Sequence, residues 1–424
     1  MARPMGVGTE FDIVVIGAGA AGLAAGRRLM GAPVSVMVLE ARERVGGRAW
    51  SLATHLGHSV DLGCEWLHSA DRNPWTGIAR QLGFAIDETL PDWRSRIARR
   101  YGDSAQSDWA AAYAAFDERL EAAAAGADQP ASALLEPGGR WNGMLDAISS
   151  WANGVELDRL SVQDHARYED TGINWRTPAG YGTLISAYGA DVPVRRGTEV
   201  RAIDHGGARL AIATSAGTLS ARAAIVTVPT AVLASGAIRF TPALPDKIDA
   251  ARGLPLGVAN KLYLEITGGA EDFALDRHAL GHTDRTATGS YQFRPHGWPV
   301  ILGYFGGRLA TELERQGIAG MAAFALDELA ALFGNDVRRR VVPLASSAWV
   351  GDRFAGGSYS YALPGHAGDR ARLAAPVDQR LFFAGEACSP NFFSTAHGAY
   401  LTGEAAADAA LAALGIAAAA ASPG

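Results

Sequence analysis

The run GAGAAG at residues 17–22 is the first stretch whose residue types and spacing point to chemistry. It fits G-x-G-x-x-G: Gly17 permits a tight turn, Gly19 lets a pyrophosphate approach the main chain, and Gly22 lets helix and strand pack closely. A helix that opens here presents its N-terminus to phosphate charge. Glycine turns of this kind also serve plain packing, so the acid that follows matters. Glu40 closes a second strand, where its carboxylate can bind both ribose hydroxyls, and this makes the motif a dinucleotide site. The continuation EARERVGGRAW, residues 40–50, adds a second close approach. Gly46 and Gly47 keep the path clear, and Arg48 can pair with pyrophosphate oxygens, against the plainer reading of an exposed basic turn. A third stretch, DLGCEWLHSADRNP at 61–74, gathers acids, Cys64, Trp66 and His68 with no helix or strand period. From these residues alone His68 stays open between a catalyst, a ligand, a substrate gate and an ordinary loop histidine.

The elements that must hold these residues follow from pattern. FDIVVI (11–16) is an apolar, β-branched run ending in glycine, as a buried parallel strand requires. AGAAGLAAGRRLM then reads as a helix and VSVMVLE (34–40) as a second buried strand, completing a strand–helix–strand unit. A polar, Trp- and Ala-rich region from about 76 to 190 contains SDWAAAYAAFDERLEAAAA, a run of strong helix formers. VPVRRGTEVRAID and ARLAIATSAGTLSARAAIVTVP read as short strands separated by glycine turns. From about 251 to 372 come the strands NKLYLEI and PVILGYFGG and the helix GMAAFALDELAALFG. RLFFAGE is another strand-to-turn signal, and a long helix starts at about 396 before an alanine-rich, fraying tail. The pattern predicts an α/β protein. Its cofactor domain is assembled from residues 1–75, 190–250 and 373–424, interleaved with an α+β substrate domain from 76–189 and 251–372 in which helices flank a mixed sheet.

Composition narrows the function. With 424 residues, two domains are the natural expectation, and 48% hydrophobic with 19% charged residues suits substantial buried cores. A net charge of −6 without a basic block argues against nucleic acid as a partner. Cys64 and Cys388 are the only cysteines, outside any CxxC or Cys/His cluster, so neither a disulfide framework nor a metal site is expected. The N-terminus lacks the apolar core of a signal segment, and no uncharged run of about 18 apolar residues is present to span a membrane. A cytoplasmic protein is the expectation, and a homodimer is compatible with it.

Taken together the motifs resemble one family, the flavin-containing amine oxidases. GAGAAG, EARERVGGR, DLGCEWLH, TEVRAI, AIVTVP, GVANKLYLE, AWVGDRFAGGSYSY, LFFAGEA and FSTAHGAYLTGEAA occur in the family's order over almost the whole chain. WLH and STAHGAYLTG look most like the polyamine oxidases. The resemblance implies a Rossmann-type FAD-binding domain and noncovalent FAD. Ala21, Glu40, Arg42 and Arg48 would line the adenosine and pyrophosphate end, with Val200 holding the adenine through its backbone. Glu65 and Trp66 would border the flavin, Glu386 would lie near the ribityl–pyrophosphate region, and Thr395 and Ala396 would meet the flavin end at a helix start.

Lys261, a lysine in an otherwise apolar strand, matches the residue that holds a water at the flavin's reactive nitrogen. On the residues alone it reads as a solvated edge lysine. Tyr359 matches one wall of an aromatic cage that guides an amine to the flavin, against a core tyrosine with a satisfied hydroxyl. Ser358 stands where some monoamine oxidases carry a flavin-linked cysteine, which excludes covalent attachment by that route. Thr395 stands at the opposite cage wall and is not aromatic, which favours an open, polyamine-like site. His68 then matches a substrate-facing residue. Glu169 and Asp170 are candidates to recognise a remote ammonium, while Arg176 would suit a substrate carboxylate. The implied reaction is oxidation of a polyamine or other amine C–N bond to an imine, with molecular oxygen reduced to hydrogen peroxide. The rival readings are an L-amino-acid oxidase, a flavin dehydrogenase or desaturase on a hydrophobic substrate, and a flavoprotein scaffold without turnover.

Overall fold

The computed structural model describes residues 9–91, 93 and 103–417. The start of the chain at 1–8 and the tail beyond 417, expected to fray, lie outside the described residues. FDIVVI is buried on both faces, with Ile13, Val14 and Val15 fully enclosed, and forms the strand Glu10–Ile16. It pairs in parallel with Gly217–Val226 on one side and Val36–Leu39 on the other. Leu381–Phe383 and Val194–Arg195 extend this parallel layer outward. The N-terminal half of Gly217–Val226 also pairs antiparallel with Leu210–Thr214, which pairs with Val200–Asp204, and Arg239–Thr241 closes that edge. The result is an eight-stranded mixed sheet.

Both faces of this sheet are covered, which is why its strands read as continuous apolar runs rather than alternating ones. On one face Ile13, Val15, Leu23, Leu29 and Ile225 pack with Ala406, Ala407 and Ala410, so the helices Ala20–Met30 and Ala396–Ala413 lie together there. On the other, Val14, Ile16, Leu219 and Phe383 form a second core with Leu233, Ala250 and Leu373.

A five-stranded sheet runs in the order Arg277–Leu280, Ser290–Phe293, Val300–Gly306, Ala259–Ile266, Val341–Ser346. A mixed sheet is expected here, but every ladder is antiparallel. Arg277–Leu280, Ser290–Phe293 and Val300–Gly306 follow one another through loops too short for a crossover helix, so each strand must reverse. The expected helix at 320–334 is part of a longer one, Gly307–Phe333, interrupted where Gly317 adopts φ 70°. This helix has the length and apolar character to cross a membrane, yet Ala310, Leu313, Met321, Ala325 and Leu329 pack into the core beneath the five-stranded sheet. The alanine-rich helix runs from Asp103 to Ala124, as its propensity predicts.

Candidate active site

One cavity of about 1510 Å³ reaches from the glycine turn at 17–22 to a wall that includes Trp109 and Trp151. A single drug-sized ligand needs roughly 300–1,000 Å³, so there is room for a large cofactor and a substrate end to end. At the glycine end the lining is mostly main chain. Gly19 sits beside Gly46 in an isolated parallel bridge, and a Cβ built on Gly19 would meet nothing closer than 3.9 Å, so it would project into the cradle. Gly22 does not line the cavity. A Cβ there would fall 1.8 Å from the Gly17 carbonyl oxygen, so this glycine is required for packing of the turn against the helix.

The charged side chains at this end are held in place. Glu40 is buried; its Oε2 accepts from the Ala18 N–H at 2.8 Å and its Oε1 from the Arg42 N–H at 2.9 Å. The Arg42 guanidinium is engaged by both Asp352 oxygens at 2.6 Å, so its charge is matched by protein. Arg48 donates from Nη1 to the Ser358 carbonyl oxygen at 2.8 Å and to Glu386 Oε1 at 2.9 Å. Burial alone would push the Glu386 carboxyl up, but Arg48, then Ser360 and Arg370, hold it below the ordinary carboxylate range. Ala21, Gly47, Val200 and Ala396 also line the cavity. Thr395 lines it too and caps the last helix, its hydroxyl accepting from the Gly398 N–H at 3.0 Å. The residues thus fit a dinucleotide: main-chain approach at the turn, a buried acid at the end of the second strand, and a helix start at the far end.

In the middle of the cavity Lys261 Nζ lies 2.6 Å from Glu65 Oε2, with side chains only 7% and 9% exposed. Burial opposes the ammonium, but Glu65 and Asp61 outweigh it and raise Lys261 above its ordinary value. Burial likewise opposes the Glu65 carboxylate, and Lys261 with Arg176 lowers it. Both shifts favour the ion pair. Asp61 behaves differently, since burial pushes it up to about 6. A lysine enclosed in a strand requires a counter-charge, so a partner was predictable in kind, though not in identity.

Around this pair stand the residues expected to face a substrate. Trp66 lines the cavity, edge-on to Trp93 at 5.1 Å between ring centroids, and its other support is Arg176, 4.6 Å over the ring. Arg176 itself does not line the cavity. It is 1% exposed and paired through Nη1 and Nη2 with Asp276 at 2.6 Å and Asp87 at 3.1 Å, and its Nε is buried away from the cavity, so a substrate carboxylate there does not meet it. His68 Nδ1 lies 2.6 Å from Asn174 Oδ1, and burial lowers its pKa, keeping the imidazole neutral. Tyr359 lines the cavity with its hydroxyl donated to the Trp151 carbonyl oxygen. Ser358 exchanges hydrogen bonds with the Ala259 main chain at 2.8 and 3.0 Å. Of the two candidate acids, Asp170 reaches the cavity, whereas Glu169 is exposed and bonded to Asn391. Among the described residues no group of three or more His, Cys, Asp or Glu is arranged to hold a metal ion.

Sequence reasoning misses Asn174, Trp93, Trp151 and Tyr304. Asn174 lies in the same stretch as the acids weighed for substrate, two residues before Arg176, but nothing local singles it out. Tyr304 becomes visible only through the strand register that sets it opposite Lys261.

A family model described as "Flavin containing amine oxidoreductase" matches residues 20–170 and 150–411. The chain is 30% identical over 444 residues to "Polyamine oxidase 2" of Arabidopsis thaliana, an overlap of 92% of this chain and 86% of that protein. It is 30% identical over 444 residues to "Polyamine oxidase 3" of Oryza sativa subsp. japonica, covering 92% and 87%. It is also 30% identical over 446 residues to "Lysine-specific histone demethylase 1 homolog 1" of Oryza sativa subsp. japonica, with 92% of this chain but 51% of that protein aligned. The cofactor these matches imply is FAD.

Proposed function

The chain belongs to the flavin containing amine oxidoreductases, and on that premise we propose that it oxidises a polyamine or other secondary amine to an imine, with oxygen reduced to hydrogen peroxide. The observation that carries this reading is the Lys261–Glu65 ion pair, buried midway between a main-chain dinucleotide cradle and a wall of aromatic side chains. On the same reading the glycine turn and the parallel layer form a Rossmann-type FAD-binding domain from residues 1–75, 190–250 and 373–424, and residues 76–189 and 251–372 form the substrate domain.

When bound, FAD supplies the two-electron oxidant for the C–N bond. The protein's residues bind, orient and manage protons. Glu65 takes one of the three N–H donors of Lys261, and the remaining donors hold a water for imine hydrolysis. Because His68 Nδ1–H donates to Asn174 Oδ1, its Nε2 lone pair is left to accept a hydrogen bond from elsewhere on the substrate or from a bound water. Trp66 and Tyr359 offer aromatic faces to a cationic or neutral amine and exclude water from it. Ser358 in place of a linking cysteine, its hydroxyl occupied by Ala259, supports noncovalent FAD.

The amino-acid oxidase reading loses its carboxylate receptor, since Arg176 is enclosed by Asp87 and Asp276. The test is an aerobic peroxide assay across spermine, spermidine, putrescine, benzylamine, N-methylated lysine peptides, cyclic amines and L-amino acids. Peroxide release should be strongest with secondary amines. L-amino acids as the preferred substrates, or turnover only of an apolar alkene-type substrate, would overturn the proposal.

A further inference from the structure

Tyr304 reaches the cavity from the strand Val300–Gly306, directly across the ladder from Lys261, so the two side chains share one face of the sheet. Its Oη lies 3.0 Å from Tyr359 Oη, and Tyr359 Oη lies 2.5 Å from the Trp151 carbonyl oxygen. A carbonyl oxygen can only accept, so the single proton of Tyr359 goes to Trp151. The proton between the two phenols must then be that of Tyr304. The chain has one direction, from Tyr304 to Tyr359 to Trp151. Burial pushes both phenols up, so both keep their protons through the neutral range and the direction holds.

This leaves the Tyr304 oxygen with its proton committed and its lone pairs unclaimed. Among the described residues no group donates a hydrogen bond to it. We propose that Tyr304 is a specificity-determining residue. Its phenol oxygen accepts an N–H of the reacting amine and, having no proton to give, cannot engage that nitrogen's lone pair. The proposal rests on the amine-oxidase reading and deepens it: the site prefers amines that carry an N–H over fully substituted nitrogen, for a reason separate from charge. Aromatic attraction to a cation is indifferent to N–H and survives replacement of tyrosine by phenylalanine.

The test uses the FAD-loaded protein and two ligands, N-benzylbutylamine and its N,N-dimethyl quaternary salt. The Kd of the secondary amine comes from the amine dependence of anaerobic flavin reduction, and that of the quaternary salt from flavin absorbance titration. In Tyr304→Phe the secondary amine should bind about tenfold more weakly, the loss of one hydrogen bond to a charged or polar partner, while the quaternary salt changes less than about twofold. Tyr359→Phe removes the acceptor for the Tyr304 proton without touching Tyr304, and should reduce the same preference by a smaller factor. Equal weakening of both ligands in Tyr304→Phe would mean that the phenol only supports the wall, and no change in either would mean that it plays no part; each result overturns the proposal. An unchanged preference in Tyr359→Phe would overturn the directional chain. If wild-type protein binds neither ligand and no amine reduces its flavin, the amine reading falls and this proposal with it.

Discussion

At the glycine-turn end of the cavity much of the surface offered to a ligand is main chain, from Gly17, Gly19 and Gly47, and its core comes from residues 17–48, joined by Val200 and Glu386 from later in the chain. At the far end the surface is side chain, and its residues arrive from separate places: Trp66 and His68 from one loop, Lys261 and Tyr304 from neighbouring strands, Tyr359 from a later turn. The first region depends on what is absent, since a Cβ at Gly22 would occupy the space of the Gly17 carbonyl oxygen. The second depends on what is present and how it is paired, since Lys261 is tolerated at that depth only because Glu65 sits 2.6 Å away. One end is a matter of steric permission and the other of matched charge and hydrogen bonding, and the two respond to mutation in opposite ways.

The sharpest separation comes from Gly22→Ala. Adding one methyl group 1.8 Å from a backbone oxygen should shift the turn, and the purified protein should lack the yellow colour of bound FAD or fail to fold. A yellow, stable variant would break the distinction at its steric end.

Lys261→Met should next divide chemistry from cofactor binding. FAD should remain bound and turnover should slow by roughly 10²-fold, as for removal of a preorganised electrostatic donor. Leaving Glu65 buried and unpaired should cost about 3–5 kcal/mol in denaturant unfolding. Adding Glu65→Gln should restore most of that stability but not the turnover. A double variant as unstable as the single would mean that the pair is not charge-matched as described.

On the proposed role of His68 towards the substrate and not the cofactor, His68→Ala should raise KM about tenfold with the flavin spectrum almost unchanged. Identical kinetics would return His68 to an ordinary loop residue.

The smallest effect is on pH dependence. Burial, and to a lesser degree His68, lowers buried His397 to about 4 from an ordinary value of 6.5. The folded protein therefore binds fewer protons than the unfolded chain between those values, and stability falls as pH is lowered from 6.5 towards 4. His397→Gln should flatten that part of the curve relative to wild type. A parallel pair of curves would show that His397 takes up its proton without cost.

The same contrast explains what could be read in advance. The glycine end was legible because its chemistry is local: strand, turn, helix and Glu40 lie within one stretch, and each has a backbone reason for its residue type. Lys261, His68, Trp66 and Tyr359 do line the cavity; the stretch 61–74 marks Trp66 and His68 by residue type, but the roles of all four follow from resemblance and not from spacing. The partner of Lys261 lies 196 residues away, and the role of Tyr304 depends on a strand register that no periodicity encodes. Arg176 shows the converse. A lone arginine invites a ligand, and only the fold reveals Asp87 and Asp276 already enclosing it. The wholly antiparallel second sheet was likewise set by short connections between its strands.

The most direct test of the whole account is anaerobic mixing of the yellow protein with a secondary amine, following the flavin absorbance band. Spermidine, spermine or another secondary amine should bleach the band within a single turnover, and acid precipitation afterwards should release all the flavin to the supernatant. A band that no amine bleaches, while an amino acid or an apolar alkene-type compound does, would contradict it.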